Sequence, residues 1–419
     1  MVAAPIAPGR EADLRALLAT MNTSPGVADP ANALVPFGRL EGLHVARFVI
    51  LEDETIGDIA AYGGAFPDAP VYLVFLGDCD GSPDAFLQAA VNVAGPGLRQ
   101  IFGHCAGFTD GADLGAWLRQ RAVRPLTAYV NWVGRTVRQA RQEQQLHAAL
   151  LSAIRRVQPG ADASTAWRSL KAAPEVRSVT LSPPQPTPLT WLLGWWVRLA
   201  ASVLALIVIA PLLLLYLPVF LVILRWREGA EPQVAQPADL TKRSAIAAYE
   251  DQDVTNSFTA IGSLKPGLFR LTLAVFALWS LDLTCRCLYV RGRLARVGTI
   301  HFARWVFLDG HRRLLFASNY DGGLDAYMDD FINKAGFGLN AVFSNGIGYP
   351  RTRWLLWEGA TNEEAFKGFL KRHQVLTDVW YRAYPGLTTF DLARNSRIRA
   401  GFERDSMSEA EAARWLALI

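Results

Sequence analysis

The hydrophobic pattern is dominated by one run. From Leu199 to Leu224 the chain reads LAASVLALIVIAPLLLLYLPVFLVIL, 26 residues without a charge. As one helix this run is about 39 Å long, against roughly 30 Å of bilayer hydrocarbon. A core helix would retain a polar face, which this run lacks, so the pattern predicts membrane insertion. Upstream, WLLGWWVR (Trp191 to Arg198) adds three tryptophans of the kind that settle at a membrane interface. Pro211 and Pro218 each remove a backbone donor. Both a tilted single helix and a hairpin returning to the same side fit the stretch Trp191–Trp226. The Pro-rich SPPQPTP (Ser182 to Pro188) before it reads as an extended linker.

Elsewhere the periods are those of a mixed α and β protein. ARFVIL and YLVFLGD are strand-like, and SPDAFLQAAVNVAG predicts a helix from Ser82 to Gly95. LRQIFGHCAGF reads as a further strand. VAAPIAPGREADLRALLATM reads as strand, Pro-Gly, helix, and TAIGSLKPGLFRLTLAVFALW repeats that order. Ala112–Val157, Asn362–His373, Leu387–Phe402 and Ser408–Ile419 carry helical spacing.

These patterns recur within the chain. LHVARFVIL (Leu43 to Leu51) returns as IHFARWVFL (Ile300 to Leu308), an offset of 257. Leu73 to Gly107 matches Leu314 to Gly348 without a gap at an offset of 241, with 13 of 35 positions identical. Asp80 and Asp321, Gly81 and Gly322, and Asn92 and Asn333 are among the identities. Each copy reads β-α-β-β-α-β, the ferredoxin-like order. The expected fold is α+β: two ferredoxin-like modules forming an intramolecular dimeric α+β barrel, plus a membrane-inserted helical segment. The division is 1–110 first module, 111–181 helical extension, 182–190 linker, 191–226 membrane segment, 227–255 connecting loop, 256–350 second module and 351–419 C-terminal strand and helices. The repeat makes Leu268–Val290 the first helix of module two, lying on or against the membrane rather than crossing it. Packing two open sheet faces together requires both modules on one side of the bilayer.

Charge and composition narrow the partners. The net charge is +4 and the arginines are scattered, with no nucleic-acid-binding motif, so no nucleic-acid partner is expected. The four cysteines form no C-x-x-C pair, as in a reducing compartment. The first 22 residues lack an uninterrupted apolar core and read as no signal peptide. The expected location is the inner (cytoplasmic) membrane with both modules facing the cytoplasm. No metal-ligand spacing, Walker loop or G-x-S-x-G occurs.

IHFARWVFL, LLFASNYDGGLDAYMDDFI and NAVFSNGIGYPRTRWLLWEGA resemble a set of uncharacterised bacterial membrane-associated proteins. The duplicated order resembles the dimeric α+β barrel superfamily, which includes small monooxygenases, chlorite dismutases and dye-decolorising peroxidases. The last carry G-x-x-D-G with an aspartate on the distal side of haem, which Gly77–Gly81 matches and Ser318–Gly322 does not. That resemblance would imply haem with Asp80 distal and His373 as the proximal ligand, although nothing around His373 matches the family pattern. The residues themselves favour another role: Asp-Gly ends a strand and the aspartate caps the next helix.

Candidate ligand-binding residues follow from the repeat and from polar groups near strand ends. His44 and His301 hold equal places, followed by Arg47 and Arg304; His104 becomes Asn345 in the second copy. Asn319, Asp321, Asn345 and Arg351 complete the set, with Tyr349, Arg353 and Glu358 also near strand ends. The first functional reading is a membrane-anchored barrel binding an apolar or lipid-like small molecule near the lipid bilayer. The alternatives are a haem-dependent peroxidase-like oxidoreductase and a scaffold recruiting a protein partner.

Overall fold

The computed structural model describes residues 1–419 apart from 67–68, 235–236 and 290–293. The last group contains Val290, the expected end of the second apolar stretch. The strand-like runs form strands that are buried on both faces. In the N-terminal half these are β1 (Val2–Pro5), β2 (Leu43–Leu51) and β3 (Tyr72–Cys79), interleaved with the helices α1 (Glu11–Ala19) and α2 (Pro83–Phe102). Next come α3 (Leu114–Gln120), a short strand β4 (Thr127–Val130), α4 (Val137–Ile154), α5 (Ala163–Ala172) and the long helix α6 (Leu189–Ala230). The C-terminal half follows with β5 (Thr255–Ser263), α7 (Leu268–Cys287), β6 (Ile300–Leu308), β7 (Arg313–Asp321) and α8 (Leu324–Phe343). It closes with α9 (Glu363–His373), β8 (Val379–Arg382), α10 (Thr389–Phe402) and α11 (Glu409–Leu416). A helix, Leu240–Ala247, lies in the segment expected as a connecting loop.

The strands build two antiparallel four-stranded sheets, ordered β1-β3-β2-β8 and β4-β6-β7-β5. Three strands of each come from one half of the chain and the fourth from the other. β8 pairs with β2, placing Trp380 opposite Arg47, and β4 pairs with β6, placing Ala128 opposite Arg304. The expected helical extension 111–181 therefore contains a strand that belongs to the C-terminal sheet. The two sheets pack face to face through Val49, Leu76, Ile261, Val306, Leu315 and neighbours. Outside this layer α2 covers the first sheet and α7 with α8 the second. A fourth apolar cluster joins α4, α5, α10 and α11 around Trp167 and Trp415.

One local expectation differs from the structure, and one alternative left open is decided. LRQIFGHCAGF is not a strand: α2 continues to Phe102, and Leu98, Ile101, Phe102 and Cys105 are buried at helical spacing. The helix passes Pro96 through a kink at Ala94 (φ −127°). Gly97 lies so close to Leu34 that a Cβ would fall 1.9 Å from its carbonyl oxygen, so only glycine fits there. Of the two forms open to Trp191–Trp226, the structure shows one continuous helix through both prolines. At 1.5 Å per residue α6 is about 63 Å long.

Among the described residues two helices, α6 and α7, are long and apolar enough to cross a membrane. They differ in burial: none of the apolar window of α6 is buried inside the protein, against 28% of that of α7. α7 lays Ala274 and Leu278 on the second sheet and accepts at the Leu278 carbonyl from the Thr127 hydroxyl (2.6 Å). This apolar surface is evidence of membrane association.

Candidate functional site

The repeated histidines and aspartates lie at the ends of β2, β3, β6 and β7. His44 is hydrogen-bonded through Nδ1 to the Tyr384 hydroxyl (2.9 Å) and through Nε2 to Asp80 (3.1 Å). The other Asp80 oxygen accepts from the backbone N–H of Val137, in the first turn of α4 (3.0 Å). The second set matches: His301 Nε2 meets Asp321 at 2.6 Å, and Asp321 accepts from the N–H of Thr389 in the first turn of α10 (2.7 Å). Thr255 and Thr389 hydroxyls also donate to Asp321 (3.1 and 2.9 Å). Each carboxylate thus sits at the positive end of the helix that follows an exchanged strand. The expectation that Asp321 caps the next helix is corrected. Gly323 precedes α8 without a side-chain cap, and in the first copy Ser82 caps α2.

Two arginines cross between the sheets. Arg304 pairs with Asp78. Arg47, aligned with Arg304, meets Asn319, which aligns with Asp78. Arg47 also donates to the carbonyls of Phe258 and Ser318 (both 2.8 Å) and to the Thr259 hydroxyl (2.9 Å), and lies over the Trp380 ring at 4.9 Å. Its other contacts are neutral, and burial pushes its guanidinium down to about 9, an effect the Asp78 charge only partly offsets. The Asn319 amide nitrogen has no partner among the described residues. These groups fill the inter-sheet layer with bonds internal to the fold.

The other expected site residues are scattered. His104 is bonded to the Gln100 carbonyl at the end of α2 (3.0 Å). Asn345 is buried, donating to the carbonyls of Ala341 and Val342 and accepting from Arg270 (3.4 Å). Arg351 is exposed. His373 is buried on α9 and bonded to the Phe369 carbonyl (2.8 Å); burial pushes its imidazole down and keeps it neutral. Asp80 is engaged with His44 and α4, while His373 packs against Gly262. The cavity beside His373 is only about 30 Å³, whereas cofactor sites occupy about 300–1,000 Å³. Asp80 and His373 do not fit haem.

A site with room lies elsewhere, and from the sequence only its Arg353 and Glu358 were met, as polar groups near strand ends. A groove of about 750 Å³ runs between α8 and a hairpin, Thr352–Glu358. Phe337, Trp354, Leu356 and Trp357 supply its apolar wall, and Lys334, Arg353 and Glu358 its charges. Asn340 on α8 anchors the hairpin, donating to the carbonyls of Leu356 (2.7 Å) and Glu358 (3.0 Å) and accepting from Tyr349 (2.7 Å) and Ala360 (2.8 Å). A further signal in the sequence is WLLW, four large apolar residues between charged ones where a turn would call for Asn or Gly.

That turn is strained. Trp354 (φ 54°) and Leu355 (φ 65°) both adopt the left-handed conformation that glycine or asparagine usually supplies. The buried Glu228, in the last turn of α6, holds it in place. Its carboxylate accepts from the N–H groups of Trp354 (3.0 Å) and Leu355 (2.8 Å), the Thr352 hydroxyl (3.0 Å) and Arg225 (2.6 Å). One residue beyond α6, Glu231 receives Arg270 from α7 in a two-point contact (2.8 and 2.6 Å) together with Lys265 (3.1 Å). Burial opposes the charge on Glu231, but its bonds to Arg270 and Lys265 outweigh that and hold its carboxyl below the usual range. Burial, aided by Arg270, pushes Lys265 down to about 8 from 10.5.

Lys265 has a testable pH signature. Below about pH 8 it is charged in the folded and unfolded states alike, and the fold bears the cost of burying it. Between 8 and 10.5 the folded state loses the proton first, so this group's contribution to stability rises with pH. Lys265→Met should be more stable than the parent by about 1–3 kcal/mol at pH 7. In unfolding curves across pH the difference should close by pH 10.5; a constant or inverted difference would refute the reading.

Comparison with family models, with curated proteins and with solved structures finds no match to this chain.

Proposed function

We propose that this protein is membrane-attached and binds a lipid-like amphiphile in the groove between α8 and the Thr352–Glu358 hairpin. The observation that carries the reading is the position of the groove: its strained turn is bonded to the last turn of the most apolar helix in the chain. Its wall is tryptophan, leucine and phenylalanine beside Arg353, Lys334 and Glu358. Tryptophan offers an apolar body with a polar edge, suited to the border between acyl chain and headgroup. The Arg353 side chain makes no hydrogen bond or ion pair among the described residues and is available to a headgroup. A ligand between the sheets is disfavoured, because side chains already fill that layer.

On this reading the scaffold is a duplicated ferredoxin-like module, with the halves closed into one α+β barrel of the dimeric α+β barrel superfamily. The sequence repeat, the matching strand orders and the reciprocal exchange of β4 and β8 support it. Because each sheet takes strands from both sides of α6, the two halves share one side of the bilayer, the cytoplasmic side in this proposal.

Extraction of the detergent-purified protein should release a stoichiometric amphiphile, identifiable by mass spectrometry. The double variant Trp357→Ala, Arg353→Ala should retain it at least about tenfold less, with the melting profile little changed because both side chains are exposed. A parent protein free of amphiphile, or equal retention by the variant, would refute the proposal.

A further inference from the structure

The way α6 is fastened to the rest of the molecule bears on how it meets lipid. The linker before it is held to the body, Ser182 accepting at its carbonyl from Arg399 (2.6 Å) and donating its N–H to Gln142 (2.9 Å). Along the helix, Arg198 reaches Asp282 of α7 (3.3 Å) and Phe220 stacks on Phe269 of α7 with ring centroids 5.7 Å apart. At its end Glu228 is bonded into the hairpin. Arg198 and Glu228 are about 45 Å apart along a straight helix. α6 therefore runs lengthwise along one body, antiparallel to α7, and does not project from it.

This arrangement conflicts with an upright crossing. An upright α6 would carry α7 to the same depth. Behind α7 lies β4, an edge strand whose one partner strand among the described residues is β6. Its outer backbone groups would enter hydrocarbon with no water to satisfy them. With the helices parallel to the membrane the sheets stay in water. The outward surface is then continuous and apolar: Leu204, Leu215 and Val222 of α6 are 61, 79 and 71% exposed, and Leu268 of α7 is 80% exposed. Soluble monomers rarely expose so large a patch. The run carries no charge or polar face that a protein partner could recognise, while Trp191, Trp196 and Trp226 mark its two ends with interfacial residues.

We propose that α6 is an in-plane anchor, submerged lengthwise in one leaflet of the bilayer with the outward face of α7 beside it, and does not cross the membrane. This rests on the membrane attachment inferred above. Because α6 is apolar all round, it would lie beneath the headgroups, with Arg198 and Arg225 extending their charged ends back to the interface.

The test uses the full chain in phospholipid vesicles, with the four native cysteines replaced and one nitroxide at Leu204→Cys, Leu215→Cys or Val222→Cys. These three positions share one face of the helix. Power saturation with oxygen and a water-soluble nickel chelate reads the depth of each. An in-plane helix gives three labels at one depth, within about 5 Å. A crossing helix separates the outer two by about 27 Å along the normal and overturns the in-plane arrangement while leaving attachment intact. Three labels exposed to nickel overturn attachment as well. Labels shielded from both reagents in a particle of doubled mass would assign the face to a second copy and overturn the proposal.

Discussion

Glu231→Ala is expected to destabilise the protein by about 3–5 kcal/mol, the range for removing one partner of a buried charge cluster. Glu231 lies directly after α6 and faces two cations that are themselves buried: Arg270 is 1% exposed and Lys265 7%. The alanine variant leaves both without a carboxylate, and only the 3.4 Å contact to Asn345 remains for Arg270. Glu231→Gln keeps the shape but not the charge and should cost nearly as much. Glu231→Leu combined with Arg270→Met and Lys265→Met removes the stranded charges and should recover most of the loss, since apolar replacement of a whole buried cluster is often neutral. Denaturant unfolding of the detergent-solubilised chain separates these cases. A loss below about 1 kcal/mol for Glu231→Ala would mean that water reaches the cluster.

The same junction shows what the linear pattern could and could not convey. The uncharged run and the strands LHVARFVIL and IHFARWVFL were legible, because each depends on the local period of apolar residues; the helix Leu268–Cys287 was expected, within Leu268–Val290, from the repeat rather than from hydropathy. The exchange of β4 and β8 was not. Each has four residues, and its partner lies more than a hundred positions away, so no local signal says which sheet it joins. LRQIFGHCAGF was misread because Gly95 and Pro96 look like a stop; tertiary packing carries α2 through the kink, with Gly97 against Leu34. The groove was missed for a related reason. WLLW has no turn chemistry of its own, and the carboxylate that stabilises its left-handed residues comes from Glu228, more than a hundred positions upstream. The Asp78 and Asn319 pair shows the limit of the repeat. Alignment marks the difference, but only the structure shows that each faces the other half's arginine.

Asp321 makes the second large prediction, and the geometry alters what its position in the sequence suggests. A simple helix cap would lose about 0.5–2 kcal/mol on replacement by alanine and be restored by asparagine. Here both oxygens are buried acceptors: one faces His301 and Thr255, the other the N–H and hydroxyl of Thr389. Alanine strands an imidazole and a backbone N–H in a low-dielectric interior, where each lost partner costs about 1–3 kcal/mol, while the Thr255 and Thr389 hydroxyls keep the Leu387 and Gly298 carbonyls (3.3 and 2.8 Å). The expected loss is about 3–5 kcal/mol. Asparagine cannot restore it. Its amide offers one acceptor, so either the His301 and Thr255 side or the Thr389 side must face an N–H₂ group instead. Asp321→Asn should therefore lose at least about 2 kcal/mol, and Asp80→Asn less, because Asp80 has fewer partners and is more exposed. Thermal and denaturant melts of the three variants give the comparison. Restoration of parental stability by Asp321→Asn would return Asp321 to the role of an ordinary cap and remove the tie between the exchanged strand β8 and the sheet its own half builds.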